Sequence, residues 1–236
     1  MIALPVQVVL FDCDSTLTRI EGVDELARLK GVAGQVSALT TAAMEGRVPV
    51  EAVYGRRLDL IRPDRTALEW LGRQYAESLV DGAVEVVRVL RQLGKDVHVI
   101  SGGFRPAVNV LAAALALPEN NVHAVDLYFD ERGAYAGFDD RSPLARSGGK
   151  AIVAGALAGG GGHAVAVGDG ITDLEMMRAD VSFIGFGGVV RREAVAARAD
   201  HFIDSASLTA LLPLILTSDE QERVLDMGGL PGIRSA

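Results

Sequence analysis

The chain alternates short, nearly unbroken apolar runs with stretches whose apolar residues recur every three or four positions. Unbroken runs suit strands buried on both faces, and the longer period suits amphipathic helices. Together they predict βαβ units around a parallel sheet, an α/β fold. Strands are expected at Val6–Phe11, Asp96–Ile100, Ala164–Gly168, Val181–Gly185 and His201–Ile203. Helices are expected at Arg105–Leu117, Lys150–Leu157, Asp173–Arg178 and Arg191–Ala197. Val122–Phe138 carries Asp130-Glu131-Arg132-Gly133 between apolar segments and reads as a β-hairpin.

Between the first two strands the helical period takes over. Val23, Leu26 and Leu29 share one spacing, with Gly31 as a stop; Val32, Val36, Leu39 and Ala43 repeat it. Pro49 opens a segment holding Val50, Val53 and Leu60, which closes near Pro63; Leu68, Leu71, Tyr75 and Leu79 form a further apolar face. Four inserted helices are expected, with re-entry to the sheet at Asp81-Gly82. The division expected is a catalytic core over 1–16 and 80–217, a helical cap over 17–79 and a tail over 218–236. The tail is polar and then rich in Gly and Pro from Gly228 to Gly232, so it is expected to be poorly ordered.

Composition narrows the function. Hydrophobic residues make up 49% of the 236, enough for a substantial core. A net charge of −8 argues against a nucleic-acid partner, which wants clustered Lys and Arg. The apolar start lacks a basic n-region and a small-residue cleavage site and runs straight into Asp12, so it reads as a strand and not a signal peptide. No apolar run reaches the roughly 18 residues of a membrane helix, so no membrane partner is expected. Cys13 is the single cysteine, which suits a reducing cytoplasm.

Four segments then carry chemistry: Asp12-Cys13-Asp14-Ser15-Thr16, Ser101-Gly102-Gly103, Lys150, and Gly168-Asp169-Gly170-Ile171-Thr172-Asp173. Three follow a predicted strand, where ligands of open α/β sheets bind, and Lys150 should start a helix. Asp12 can attack phosphorus to give an aspartyl phosphate. Asp14 can protonate the leaving oxygen and later take a proton from water. Ser101 and the amides after it can hold phosphate oxygens, Lys150 can neutralise charge, and Asp169 completes a cation site. Asp12, Asp14, Asp169 and Asp173 crowded around a phosphate repel one another. One Lys cannot balance them, whereas a hard divalent ion such as Mg²⁺ can. Asp173 also suits a helix N-cap, a role compatible with backing the cation's ligands. Other patterns fall away. Lys150 is not followed by the Ser or Thr of a P-loop, and His98, His123, His163 and His201 show no metal-ligand spacing. Cys13 between two carboxylates is a poor nucleophile.

The ordered set of these motifs resembles the haloacid dehalogenase superfamily, specifically its phosphoserine-phosphatase branch, over about residues 6–205. The resemblance implies a Rossmann-like parallel-sheet core with an inserted four-helix cap. It implies Asp12 as nucleophile, Asp14 as general acid/base, and Mg²⁺ on Asp12, the backbone carbonyl of Asp14 and Asp169. It further implies O-phospho-L-serine as substrate. Glu21, in Glu21-Gly22-Val23-Asp24-Glu25-Leu26, would bind the amino group and Arg57 the carboxylate, while Met44 and Thr172 would touch substrate beside Ser101, Gly102, Gly103 and Lys150. Four positions depart from the pattern. Val50 stands where Phe is common and leaves more room. Thr172 stands where some members carry Asn, and Val125-Asp126 replaces an Asn-Arg pair. Two alternatives stay open: a related phosphatase or phosphotransferase acting on another small metabolite (transfer to homoserine, for example), and a non-catalytic phospho-aspartate switch.

Overall fold

The computed structural model describes residues 5–44, 48–159 and 163–228. In chain order it contains β1 (Val6–Phe11), α1 (Gly22–Leu29), α2 (Ala33–Met44), α3 (Val50–Ile61), α4 (Arg65–Glu77), α5 (Ala83–Gln92), β2 (Asp96–Phe104), α6 (Arg105–Ala114), β3 (Val122–Val125), β4 (Leu127–Phe129) and β5 (Tyr135–Phe138). There follow α7 (Gly149–Ala158), β6 (His163–Gly168), α8 (Ile171–Leu174), β7 (Ser182–Phe186), α9 (Glu193–Ala196), β8 (His201–Ile203), α10 (Leu212–Ile215) and α11 (Ser218–Asp226).

Six strands form one parallel sheet in the order β3-β2-β1-β6-β7-β8. The chain builds outward from β1 in one direction and then returns to build from β6 in the other. The order therefore reverses between β1 and β6, and the crevice for a ligand opens beyond their carboxyl ends. Register brings the ends level: Phe11 pairs with both Val99 and Val167. Val9, Leu10, Phe11, Val165, Ala166 and Val167 are buried, which explains why the central strands read as unbroken apolar runs.

The hairpin expected over Val122–Phe138 is smaller than its sequence suggested. Val122–Val125 joins the parallel sheet beside β2, and only β4 and β5 pair antiparallel. A four-residue segment with three apolar positions cannot by itself distinguish a hairpin arm from a sheet edge. Helix α5 was not anticipated either, although Val86, Val87 and Leu90 form its buried stripe.

Helices α1 to α4 lie between β1 and α5. Capping and stripe explain α4: the Asp64 carboxylate accepts from Ala67 N–H at 2.8 Å, and Leu68, Leu71 and Tyr75 are buried on one face. The chain leaves and re-enters the sheet side by side. Arg19 N–H donates to Ser78 O at 2.8 Å and Val80 N–H to Leu17 O at 3.0 Å.

The tail expected to be poorly ordered from Ser218 is instead helical over Ser218–Asp226. Thr217 and Glu220 form a reciprocal capping box, and Val224 is buried. The buried Lys95 ammonium donates to Glu220 at 2.7 Å and to Val6 O at 2.8 Å, tying α11 to the first strand. The sequence hid this because the partners are 125 positions apart. Glu220→Ala should lower unfolding free energy by about 1–3 kcal/mol, since it leaves a buried ammonium short of a partner. An unchanged urea midpoint would show that the pair contributes nothing. The Gly/Pro-rich stretch from Gly229 lies outside the described residues.

Candidate active site

The reversal point holds a cavity of about 450 Å³ whose walls include Asp12, Asp14, Glu21, Arg57, Gly102, Gly103, Lys150, Asp169 and Thr172. Asp12 follows β1 directly, and its N–H donates to Val167 O at 2.9 Å, which fixes it at the sheet edge. The turn after it is tight: the N–H groups of Thr16, Leu17 and Thr18 all point to Cys13 O, and Ser15 sits in the left-handed region at φ 53°. That turn puts Asp12 and Asp14 into one pocket.

Lys150, at the start of α7, links two carboxylates. Its ammonium lies 2.5 Å from Asp12 Oδ1 and 2.5 Å from Asp173 Oδ1, all three groups being buried. Burial works against its charge, yet Asp12 and Asp173 hold the ammonium well above the usual lysine range. Asp173 also accepts from Gly170 N–H at 2.8 Å, so it caps the short helix while it holds Lys150. It packs so close to β6 that a Cβ on Gly168 would stand 2.4 Å from its carboxyl carbon. Gly168→Ala should therefore cost about 1–3 kcal/mol of stability. A wild-type melting temperature would show that the strand end yields freely.

Asp14 faces differently. Its Oδ1 accepts from Gly22 N–H at 2.6 Å and from Tyr75 Oη at 2.7 Å. Oδ2 is turned toward Gly103. Burial raises its pKa above the ordinary carboxyl value, opposed by those two hydrogen bonds. A carboxyl group that keeps its proton longer than usual suits an acid that must donate.

Ser101 is buried within β2, which runs on to Phe104, so its motif belongs to the strand and does not follow it. The Ser101 Oγ accepts from Gly103 N–H at 2.9 Å. Its own hydrogen is then available to donate elsewhere.

Asp12, Asp169 and Asp173 bring three carboxylate oxygens within 4.8 Å of one another. Burial, then Asp173, pushes the Asp12 carboxyl well above its ordinary range, with Lys150 opposing. Burial and Asp173 push Asp169 up to about 6, with Arg192 opposing. Clustered hard oxygen donors in this electrostatic state fit Mg²⁺, which takes few carboxylates together with water and substrate oxygens.

Arg192 is the residue that the motifs missed. It precedes α9 at the same sheet edge and donates from Nε to Asp169 Oδ2 at 2.9 Å; its Nη2 lies 3.7 Å from Glu21. The balance of carboxylates against a single Lys thus omitted a second cation. The signal was an arginine pair, Arg191-Arg192, just beyond an apolar run. Arg191 instead pairs with Glu193 and Asp204 at the surface.

Among the expected substrate residues, Glu21 accepts from Ser15 Oγ at 2.7 Å, and burial and Asp14 push its pKa up to about 7. Arg57 projects from α3 into the same cavity, as does Val50. Thr172 is exposed at the cavity mouth. Met44 ends α2, and its side chain lies outside the described residues. Cys13 is buried, and its thiol is pushed up by burial and then by Asp14 and Asp12, as a poor nucleophile should be.

Comparison with known proteins gives this geometry a lineage. The family model for haloacid dehalogenase-like hydrolases matches residues 6–179. The phosphoserine phosphatase of Bos taurus is 43% identical over 197 residues, covering 83% of this chain and 88% of the bovine one. A solved structure described as a phospho-aspartyl intermediate analogue of phosphoserine phosphatase superimposes with a TM-score of 0.73 at 29% identity, over 90% of this chain and 100% of the other. A substrate-bound phosphoserine phosphatase complex gives 0.75 at 28% identity, over 89% and 99%. The chain belongs to the haloacid dehalogenase-like hydrolase family, within its phosphoserine-phosphatase branch.

Proposed function

We propose that the protein is a Mg²⁺-dependent phosphomonoesterase that hydrolyses O-phospho-L-serine to L-serine and phosphate through an aspartyl phosphate on Asp12. The observation that carries this reading is Asp12 paired with Lys150 at 2.5 Å in one cavity with Asp14, Glu21 and Arg57. The relatives' phosphoserine-phosphatase activity supports the same substrate. The reading divides the chain into a core over 1–16 and 80–217, a cap over 17–79 and a tail over 218–236.

The chemistry follows from the side chains. Arg57 takes the substrate carboxylate and Glu21 its ammonium, which directs the phosphoryl group toward Asp12. Ser101 Oγ–H, oriented by the Gly103 N–H, holds its oxygens together with the Gly102 amide and Lys150. An Asp12 oxygen attacks phosphorus in line with the serine oxygen. The P–O bond to serine breaks, and Asp14 delivers the proton that makes the serine hydroxyl. After serine leaves, Asp14 takes a proton from water; the water oxygen attacks phosphorus, the bond to Asp12 breaks, and phosphate departs. Mg²⁺ held by Asp12, Asp169 and the Asp14 backbone carbonyl, with Asp173 behind them, would neutralise the carboxylates and polarise the phosphoryl group.

No helix among the described residues is long and apolar enough to cross a membrane. The reading places the reaction in the cytoplasm, which suits a lone cysteine.

The test is phosphate release from O-phospho-L-serine, with a panel of phosphothreonine, sugar phosphates and added homoserine. Turnover should need Mg²⁺ and vanish with a chelator. Stronger turnover of another ester would replace the substrate, and a phosphoenzyme lasting minutes would favour a switch.

A further inference from the structure

We propose that Tyr54 is a positioning residue that joins the two ends of the substrate site, its ring seating Arg57 and its hydroxyl fixing the Ser101-Gly102-Gly103 segment. The proposal rests on the function proposed above.

Tyr54 is 5% exposed and lines the cavity from α3, three positions before Arg57. The Arg57 guanidinium carbon lies 5.6 Å from the centre of the Tyr54 ring, within cation–π range. Among the described residues, Arg57 has little else to hold it. Its Nη1 reaches Thr40 Oγ1 only at 3.5 Å, and its buried Nε has no hydrogen-bond partner among the described residues. The ring is itself fixed, with its centre 5.2 Å from that of Phe138 at the end of β5. An arginine seated on a fixed aromatic face and short of partners is pre-organised for an incoming carboxylate.

The hydroxyl works at the other end. Tyr54 Oη donates to Gly102 O at 2.8 Å. That carbonyl lies where the pairing of β2 with β3 shifts register, between Ile100 and Phe104. Gly102 C=O and Gly103 N–H belong to one peptide unit, and Gly103 N–H donates to Ser101 Oγ at 2.9 Å. The Tyr54 bond therefore sets the plane that sets the Ser101 hydroxyl, which must donate to phosphate. Glycines at 102 and 103 leave that plane otherwise free to turn. One side chain of α3 thus transmits carboxylate capture to the phosphate-binding strand.

Two variants separate the two roles. Tyr54→Phe keeps the ring and loses the donor. It should raise the inhibition constant of inorganic phosphate about fivefold, the worth of one hydrogen bond. It should keep the wild-type preference in kcat/KM for O-phospho-L-serine over p-nitrophenyl phosphate. Tyr54→Leu loses both. It should show the same phosphate effect and lower that preference by about tenfold, through the KM for phosphoserine. A tyrosine that only stabilised the fold would change the melting temperature and the active fraction, moving neither the inhibition constant nor the preference. A wild-type preference in Tyr54→Leu, or an unchanged phosphate constant in Tyr54→Phe, overturns the proposal while leaving the phosphatase reading intact. Wild-type protein that does not turn over O-phospho-L-serine overturns both.

Discussion

Asp12→Asn should reduce phosphate release from O-phospho-L-serine by about four orders of magnitude or more, the scale of loss when a nucleophile acting within a catalytic unit is removed. The amide cannot form the aspartyl phosphate, so acid quenching during turnover should trap labelled phosphate on wild-type protein and none on the variant. The fold should survive. Burial and Asp173 press the Asp12 carboxyl toward its neutral form, and an amide of the same shape is neutral. Lys150 keeps its second carboxylate, Asp173, at 2.5 Å. The melting temperature should shift by only a few degrees, about 1 kcal/mol for a chain of this size. Full activity in Asp12→Asn would end the covalent mechanism. Lost activity accompanied by unfolding would make Asp12 a structural residue only.

The core was legible in the sequence because its signals are local. Val6–Phe11 reads as a strand in six residues, and the β1 span matches it to the residue. Asp12, Lys150 and Asp169 could be placed at one edge because parallel sheets collect the ends of their strands there. What stayed hidden depends on distance or on competition. Arg192 meets Asp169 only after the chain has passed through β7. Lys95 and Glu220 find each other across 125 positions, so α11 looked like a loose polar segment. Val122–Val125 had two possible partners, and the vacant edge of β2 won over the hairpin. The side-chain geometry of Asp14 was equally hidden, since Tyr75 comes from α4 and Gly22 from the start of α1.

The last of these contacts has a wider bearing, because in it the inserted helices complete what the sheet begins. The core supplies Asp12, Ser101 and Asp169 from its strands and strand ends and Lys150 from α7, and the proposed mechanism sets all four against the phosphoryl end of the substrate. Tyr75 of α4 holds Asp14, Ser15 holds Glu21, and α3 carries Arg57. On the proposed function, recognition of the amino acid would therefore rest on the insertion, and altering it should leave the chemistry in place.

Arg57→Ala tests that separation. Arg57 is half-buried on α3, and burial lowers its pKa from the usual arginine value, opposed by Tyr54, Asp24 and Glu21. A guanidinium kept partly from water gains more from a carboxylate than an exposed one does. Charge-assisted hydrogen bonds contribute about 1.5–3 kcal/mol, so the KM for O-phospho-L-serine should rise about 10- to 100-fold. The kcat should change far less, because in the proposed role Arg57 would grip the carboxylate equally before and during bond breaking. p-Nitrophenyl phosphate has no carboxylate, and its KM should move by no more than about twofold, the level of surface substitutions. Arg57→Lys should recover only part of the loss, since an ammonium cannot make two parallel bonds. Equal losses on both esters would move Arg57 from recognition to folding, and the carboxylate clamp would have to be sought elsewhere in the cavity.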